Sequence, residues 1–286
     1  MAQNTQKKLQ RKKAKKKKLA IEQKKKLQLA KHREKIEDLV DNILAYIPQN
    51  RSEYAKNQLD KLSAKYPHES FILYGYGLYY LSIEQDKKGI SFLHKFLELE
   101  PKFAYAYINL AIAYYKGFQL HKMMDTINLM FKKAKYEKEP FDIAEKKLVD
   151  TEKIIKGNCG LTLERYCDGQ RLYEKAYHAM LNSDFEESIC LFFESLNILP
   201  DHVQSFGNMG LCFAKLGDKQ NALKSFDAAL LVDPNYELAI VNKAIVEQLK
   251  EGEKLEGKIK STEYYKDYTI QNKSYIDEVS QNHFDT

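Results

Sequence analysis

The sequence has no tryptophan, four cysteines, six prolines and twelve glycines among its 286 residues. So few Gly and Pro cannot furnish the many turns of an all-β fold, whereas the helix formers Leu, Lys, Glu, Ala and Gln are plentiful, so the expected class is all-α. Cys159, Cys167, Cys190 and Cys212 make no C-x-x-C pair, and no histidine stands at zinc-finger spacing from them. Neither a metal site nor a disulfide is therefore expected, and the thiols read as reduced and intracellular. Cys190 and Cys212 fall on apolar helical faces and read as small buried hydrophobes.

Long apolar runs are missing as well. No stretch of about 18 apolar residues occurs, which argues against a transmembrane helix, and the basic start is followed by no apolar core of a signal peptide. The expected compartment is the cytoplasm, or the nucleus if the basic start serves as an import signal. The chemistry-bearing motifs are absent too. There is no P-loop, no G-x-S-x-G and no H-E-x-x-H, the seven histidines are scattered, and Gly75-x-Gly77 lacks the third glycine of a dinucleotide loop. No catalytic residue and no cofactor is expected.

Charge is unevenly spread. Residues 1–35 carry 15 Lys and Arg against 2 acids, while 36–286 hold 31 basic and 38 acidic residues. Only the head is strongly basic. Its lysines Lys12, Lys13, Lys15, Lys16, Lys17, Lys18, Lys24, Lys25 and Lys26 are the candidate contacts for a polyanion, RNA or a ribosome first among them. An anionic membrane, an import receptor and plain solvation are the competing readings. No aromatic residue precedes Tyr46, so the head offers no platform for stacking bases. Like charges repel along it, so in isolation it reads as disordered or as a fraying helix.

What the rest of the chain has is a period. Pro67 and Pro101 are 34 residues apart, and so are Pro200 and Pro234. With each proline set at position 32 of a 34-residue unit, units begin at Ile36, Ser70, Ala104, Gly169 and Val203, and a partial one at Glu237. Position 8 is then Ile43, Gly77, Ala111, Ala176, Gly210 and Ala244, small in every unit but the first. Position 11 is aromatic in Tyr46, Tyr80, Tyr114 and Phe213. Positions 20, 24 and 27 read Ala55/Leu59/Leu62, Gly89/Leu93/Phe96, Met123/Ile127/Met130, Ser188/Phe192/Ser195 and Ala222/Phe226/Ala229. This spacing places positions 4, 7, 8 and 11 on one face of a first helix, and 20, 24 and 27 on one face of a second. A small residue at position 8 lets the two helices approach closely, and the proline marks the boundary between units. Turns are expected at Gln85-Asp86, Lys116-Gly117, Ser183-Asp184 and Gly217-Asp218.

The unit 203–236, with Phe206, Gly210, Phe213, Gly217, Ala222, Phe226, Ala229 and Pro234 in place, resembles the tetratricopeptide repeat family. The resemblance extends over about 36–250 and implies a right-handed superhelix, an α-solenoid of antiparallel helix pairs. It divides the chain into the basic segment 1–35, three units in 36–137, a connector helix or degenerate repeat in 138–168, two units and a capping helix in 169–250, and a flexible polar tail in 251–286. Pro140 is expected in the first turn of the connector helix, which Gly157–Gly160 should end. The tail tyrosines Tyr264, Tyr265, Tyr268 and Tyr275 are either solvated or docked on the body.

The same resemblance implies a function. In that family the first helices line a concave groove that receives an extended peptide or an amphipathic helix of a partner protein. Here the groove positions bring forward Tyr74, Tyr105, Ile108, Asn109, Tyr115 and Lys116 in the first block, and Tyr173, Tyr177, Asn208, Lys215 and Asn242 in the second. Asn109, Asn208 and Asn242 share position 6, where an amide can bridge a peptide backbone without reading its sequence. The aromatic side chains suit an amphipathic helix. The lysine and asparagine clamp with which some members hold chaperone tails needs Lys at position 5, and Val40, Tyr74, Ile108, Tyr173 and Gly207 stand there. Some of the rings, Tyr76 and Tyr80 foremost, are expected in the core.

Overall fold

The computed structural model describes residues 2–257, without the side chains of residues 2–16 and Lys26. Among the described residues it is all-α, with twelve helices: α1 Ala2–Leu44, α2 Ser52–Lys65, α3 Ser70–Ser82, α4 Asp86–Leu99, α5 Ala104–Lys116, α6 Leu120–Lys133, α7 Lys138–Cys159, α8 Leu163–Leu181, α9 Phe185–Leu196, α10 Val203–Leu216, α11 Lys219–Val232 and α12 Glu237–Glu247. The tail tyrosines Tyr264, Tyr265, Tyr268 and Tyr275 lie outside the described residues. No described helix is long and apolar enough to cross a membrane.

The 34-residue register is the register of the packing. Every residue at positions 20, 24 and 27 of the five full units is buried, from Ala55, Leu59 and Leu62 to Ala222, Phe226 and Ala229. Position 8 meets position 24 of its own unit: a Cβ built on Gly77 would stand 2.8 Å from Leu93, and one on Gly210 would stand 2.7 Å from the Phe226 ring. In the fourth unit serines serve this contact. The Ser188 hydroxyl donates to the carbonyl of Ala176 at 2.8 Å, and the Ser195 hydroxyl to that of Gly169 at 2.9 Å, so α9 is hydrogen-bonded onto the backbone of α8.

The two helices of each unit are joined by one turn, repeated five times. Its position-15 residue is left-handed in every unit: Asn50 (φ 58°), Glu84 (58°), Phe118 (56°), Ser183 (68°) and Gly217 (87°). The amide of position 15 donates to the carbonyl of position 12, and the amide of position 16 to that of position 11. In the second unit these are Glu84 to Leu81 and Gln85 to Tyr80; in the fifth they are Gly217 to Ala214 and Asp218 to Phe213. The paired bonds close the carbonyls left open at the end of the first helix. A single one of the five positions is glycine, the residue that adopts this backbone without steric cost.

The prolines end second helices as expected, with Pro67 after α2, Pro101 after α4, Pro200 after α9 and Pro234 after α11. Where the third unit has Lys135 instead, its N–H donates to the Lys102 carbonyl at 3.0 Å, a bond a proline could not make.

The chain divides into two compact units, residues 1–113 with 132–136, and residues 114–131 with 137 onward. The third repeat is therefore split between them. In the first unit α1 runs unbroken from Ala2 through the first repeat helix, so the boundary expected at 35/36 is no break in the backbone. Ile36 and Val40 bring α1 into the core, Arg33 pairs with Glu100 at 2.7 Å and lies over the Phe71 ring, and His32 bonds Glu69 at 2.9 Å. In the second unit α7 carries Pro140 in its first turn and ends at Gly160, left-handed at φ 73°. There α6 is tied to α8: the Gln170 carbonyl oxygen accepts from the His121 backbone N–H and bonds its Nδ1, both at 3.1 Å, and Nε2 of His121 lies 3.0 Å from Glu174. Glu174 also pairs with Lys122, and these partners pull its carboxyl down to about 2.

Cys190 departs from expectation. It is exposed on α9, because position 22 turns away from the face that carries positions 20 and 24; the buried thiols are Cys167 and Cys212. Tyr76 and Tyr80 are half-buried, stacked at the side of α3, while Tyr74 enters the core.

Candidate functional site: the first-helix faces

The eleven groove candidates fall into two environments. In the first unit Tyr74 is buried on α3 with its ring against Phe71, Phe96 and Phe103. Burial and the nearby Asp41 carboxylate push its phenol well above the ordinary range. Its hydroxyl accepts a hydrogen bond of 3.0 Å from Nδ2 of Asn109 on α5. Asn109 is half-buried and spends one amide hydrogen there, which leaves its carbonyl oxygen and second hydrogen for another partner. Ile108 is buried beside it, whereas Tyr105, Ile112 and Leu78 are half-exposed. Asp41, exposed on α1, has its carboxyl raised by partial burial and by Asp38. This face thus combines one fixed amide, three half-open apolar side chains and an acidic edge.

In the second unit the corresponding faces are closed. Tyr115 is buried with Nζ of Lys147, on α7, 4.2 Å above its ring, while Lys116 is exposed. Burial and the neighbouring Lys146 and Lys116 lower the Lys147 ammonium despite Asp150. Tyr173 and Tyr177 are buried side by side, and Tyr173 packs on Phe192 and His202. Asn208 is 1 % exposed and donates to the Tyr173 hydroxyl at 3.2 Å.

Further along α10 the chain covers its own first-helix face. The Leu255 amide donates to the Ala214 carbonyl at 2.9 Å, and Leu249 and Leu255 pack on the cluster that contains Leu211 and Ala214. Lys215 donates to the Gly257 carbonyl at 2.6 Å, and Lys219 to those of Glu247 and Leu249 at 2.8 and 2.6 Å. Residues 251–257, expected as the start of a flexible tail, are thus bound to the fifth repeat through Leu255 and Gly257.

One relation between candidates was open to the sequence and went unread. Asn109 and Asn208 stand at position 6, and each donates to the position-5 tyrosine of the preceding repeat, 35 residues back. Asn242 has no such hydroxyl to meet, because position 5 before it is Gly207. The Tyr236 ring occupies the space there, 2.7 Å from where a Cβ would stand.

Among the basic candidates, Lys17, Lys18, Lys24 and Lys25 are exposed on α1; the side chains of Lys12, Lys13, Lys15, Lys16 and Lys26 lie outside the described residues. The described residues hold no cluster of three or more metal-ligating side chains. Burial pushes the Cys167 thiol up to about 12 and the Cys212 thiol to about 11, which holds both in the unreactive protonated form.

Comparison with known proteins bears on the repeat. The tetratricopeptide repeat pattern matches residues 203–236. Solved structures similar to this chain include the TPR domain of P58(IPK), at 17 % identity over 74 % of this chain and 55 % of that one, with a TM-score of 0.41. This chain thus spans about half of that one. YrrB, a TPR protein with an unusual peptide-binding site, is 20 % identical over 65 % of this chain and 97 % of its own, with a TM-score of 0.29. The TPR2AB domain of yeast Sti1, solved in complex with pHSP90, is 16 % identical over 73 % and 83 %, with a TM-score of 0.34. No curated protein matches in sequence. With every one of these TM-scores below 0.5, the assignment rests on the matched repeat and on the packing register it shares with the units before it. Residues 203–236 match the tetratricopeptide repeat, and the units before them share its packing register.

Proposed function

We propose that this chain is a non-catalytic protein-interaction scaffold that holds an extended peptide or an amphipathic helix of a partner protein on the first-helix face of its first unit. The observation that carries this reading is the Asn109 amide. Tyr74 fixes it from behind, its remaining donor and acceptor are uncommitted, and Tyr105, Ile112 and Leu78 beside it are half-open. A fixed amide among apolar side chains suits a main-chain contact flanked by apolar anchors. The faces of the second unit around Asn208 and Lys215 are taken by the chain itself, so the first unit is the site to test.

The test is selection of a random 16-residue peptide library on the full chain. Clones sharing apolar anchors should emerge from the wild type, and Tyr105→Ala combined with Asn109→Ala should cut their binding tenfold or more. Enrichment that ignores both substitutions would remove this face from consideration.

A second reading rests on α1, where Lys17, Lys18, Lys24 and Lys25 stand exposed on a helix whose segment has an excess of 13 positive charges. Such a helix suits association with RNA or with the ribosome through phosphate contacts. Binding of labelled poly(U) RNA should weaken steeply as salt rises and be lost when these four lysines become glutamate. Salt-independent binding, or none at low salt, rules this reading out.

A further inference from the structure

The first two repeats fill the crevice between their helices differently. In the second repeat position 7 is Tyr76, position 11 is Tyr80 and position 23 is Phe92. The Phe92 ring stacks on Tyr80, with centroids 5.5 Å and planes 10° apart, and lies 5.2 Å from the Tyr76 ring. Nζ of Lys95, at position 26, stands 5.6 Å from the centroid of the Phe92 ring, so an ammonium at position 26 reaches the space of the position-23 side chain.

In the first repeat only the ring at position 11 is kept, as Tyr46; position 7 is Asn42 and position 23 is Gln58. An amide is smaller than an aromatic ring, and between α1 and α2 there is a cavity of about 480 Å³ that all three of these side chains line. Its size is that of a small-molecule site. Buried Ile43 and Leu62 and half-buried Leu39 form its apolar wall. Tyr54 stands edge-on to Tyr46 with centroids 4.8 Å apart, and the Arg51 guanidinium lies over both rings.

Charge at the cavity has one sign. Lys61 at position 26 and Lys65 at position 30 line it, about one turn apart on α2, and among the described residues no carboxylate does. Neither lysine has an ion-pair partner among the described residues, and Lys65 lies over the Tyr66 ring. The amides of Asn42 and Gln58 add donors and acceptors. Positions 4, 7, 8 and 11 of α1 lie on the side opposite to positions 2, 5, 6 and 9, so the cavity is separate from the first-helix face that carries the peptide-binding reading.

We propose that this cavity binds a small aromatic acid. A planar ring lies against Tyr46 as Phe92 lies against Tyr80, and the ammonium groups of Lys61 and Lys65 hold its carboxylate. The site goes beyond the peptide-binding face and stands whether or not that face binds a peptide.

The test uses the full chain, with 2-naphthoate as the probe and 2-naphthylmethanol as its neutral counterpart. Calorimetric titration gives the affinities, and amide chemical shifts of the labelled protein give the location. Naphthoate is expected to bind at least tenfold more tightly than the alcohol, with shift changes concentrated in residues 39–65. Gln58→Phe, which writes the second repeat's residue into position 23, should weaken both compounds tenfold or more with an unchanged circular dichroism spectrum. Lys61→Met with Lys65→Met, both at exposed positions, should bring naphthoate down to the affinity of the alcohol and leave that of the alcohol unchanged; this pair decides the matter if Gln58→Phe does not fold. Tyr105→Ala with Asn109→Ala should leave naphthoate binding as it is, which separates this site from the peptide face. The inference is overturned if naphthoate fails to bind at millimolar concentration, binds no more tightly than the alcohol, or shifts amides elsewhere in the chain. It is equally overturned if the lysine pair or a folded Gln58→Phe binds naphthoate as the wild type does.

Discussion

Glu84 offers a direct test of the repeated turn. It is exposed and left-handed at φ 58°, and its backbone N–H makes the first of the two bonds that close α3. Holding an L-residue there costs about 1–2 kcal/mol. Glu84→Gly removes that cost and adds about 0.5–1 kcal/mol of unfolded-state entropy to overcome, so the net expectation is stabilisation by about 0.5–1 kcal/mol. For a domain of this size that corresponds to a rise of about 1–4 °C in melting temperature. Gly217→Ala is the converse. It places a Cβ on a backbone at φ 87° and 2.7 Å from the Gly252 carbonyl oxygen, so it carries the conformational cost and a clash with the segment docked on the fifth repeat. Destabilisation of more than 1 kcal/mol is expected. Urea titrations followed by circular dichroism measure both, and local hydrogen exchange in 79–90 separates a turn effect from a global one. If Glu84→Gly is neutral or destabilising while Gly217→Ala is tolerated, the repeated left-handed turn does not govern how these helices join.

Two further outcomes follow from buried groups. Burial pushes the His202 imidazole down to about 4, against about 6.5 unfolded, so the folded chain holds it neutral where the unfolded chain would protonate. Its contribution is intact above pH 6.5 and is lost as pH falls from 6.5 to 4, at up to about 1.4 kcal/mol per pH unit. His202→Asn should flatten that part of the stability profile, and an unchanged profile refutes the assignment. Iodoacetamide at pH 8 should modify exposed Cys159 and Cys190 while Cys167 and Cys212 stay unmodified until denaturant is added, as mass spectrometry will show; labelling of Cys167 at the rate of Cys190 contradicts the packing.

The register of the fold was legible because close packing leaves a strong trace in sequence. Gly77 and Gly210 must be small where Leu93 and Phe226 press on them, and Pro200 and Pro234 are barred from a helix interior and stand beyond the ends of α9 and α11. The turns were found but not their mechanism. Asn50, Glu84, Phe118, Ser183 and Gly217 share no side-chain chemistry, and what repeats is a backbone angle imposed by the helices on either side. Cys190 misled because an apolar neighbourhood in sequence is not one face of a helix. Of the candidate groove, the residue types were readable but their accessibility was not. Asn208 and Lys215 are engaged by Tyr173 and by Gly257, and residues 251–257 dock with Leu255 on the fifth repeat, one apolar residue in a polar stretch that reads as a tail.

The unbroken α1 has a consequence for how the basic segment presents its charge. A helix advances 100° per residue, so the azimuth of Lys17, Lys18, Lys24 and Lys25 around the axis is set by the number of residues separating each from Ile36, which is anchored in the core. Inserting one uncharged residue between Arg33 and Ile36 would rotate these four lysines by about 100° and leave the net charge unaltered. Two insertions of that kind, one residue long and seven, would differ sharply in phase, the second restoring the native azimuth to within about 20°. The sequence between the charged segment and the first repeat therefore acts as a setting of angle rather than as a tether of adjustable length.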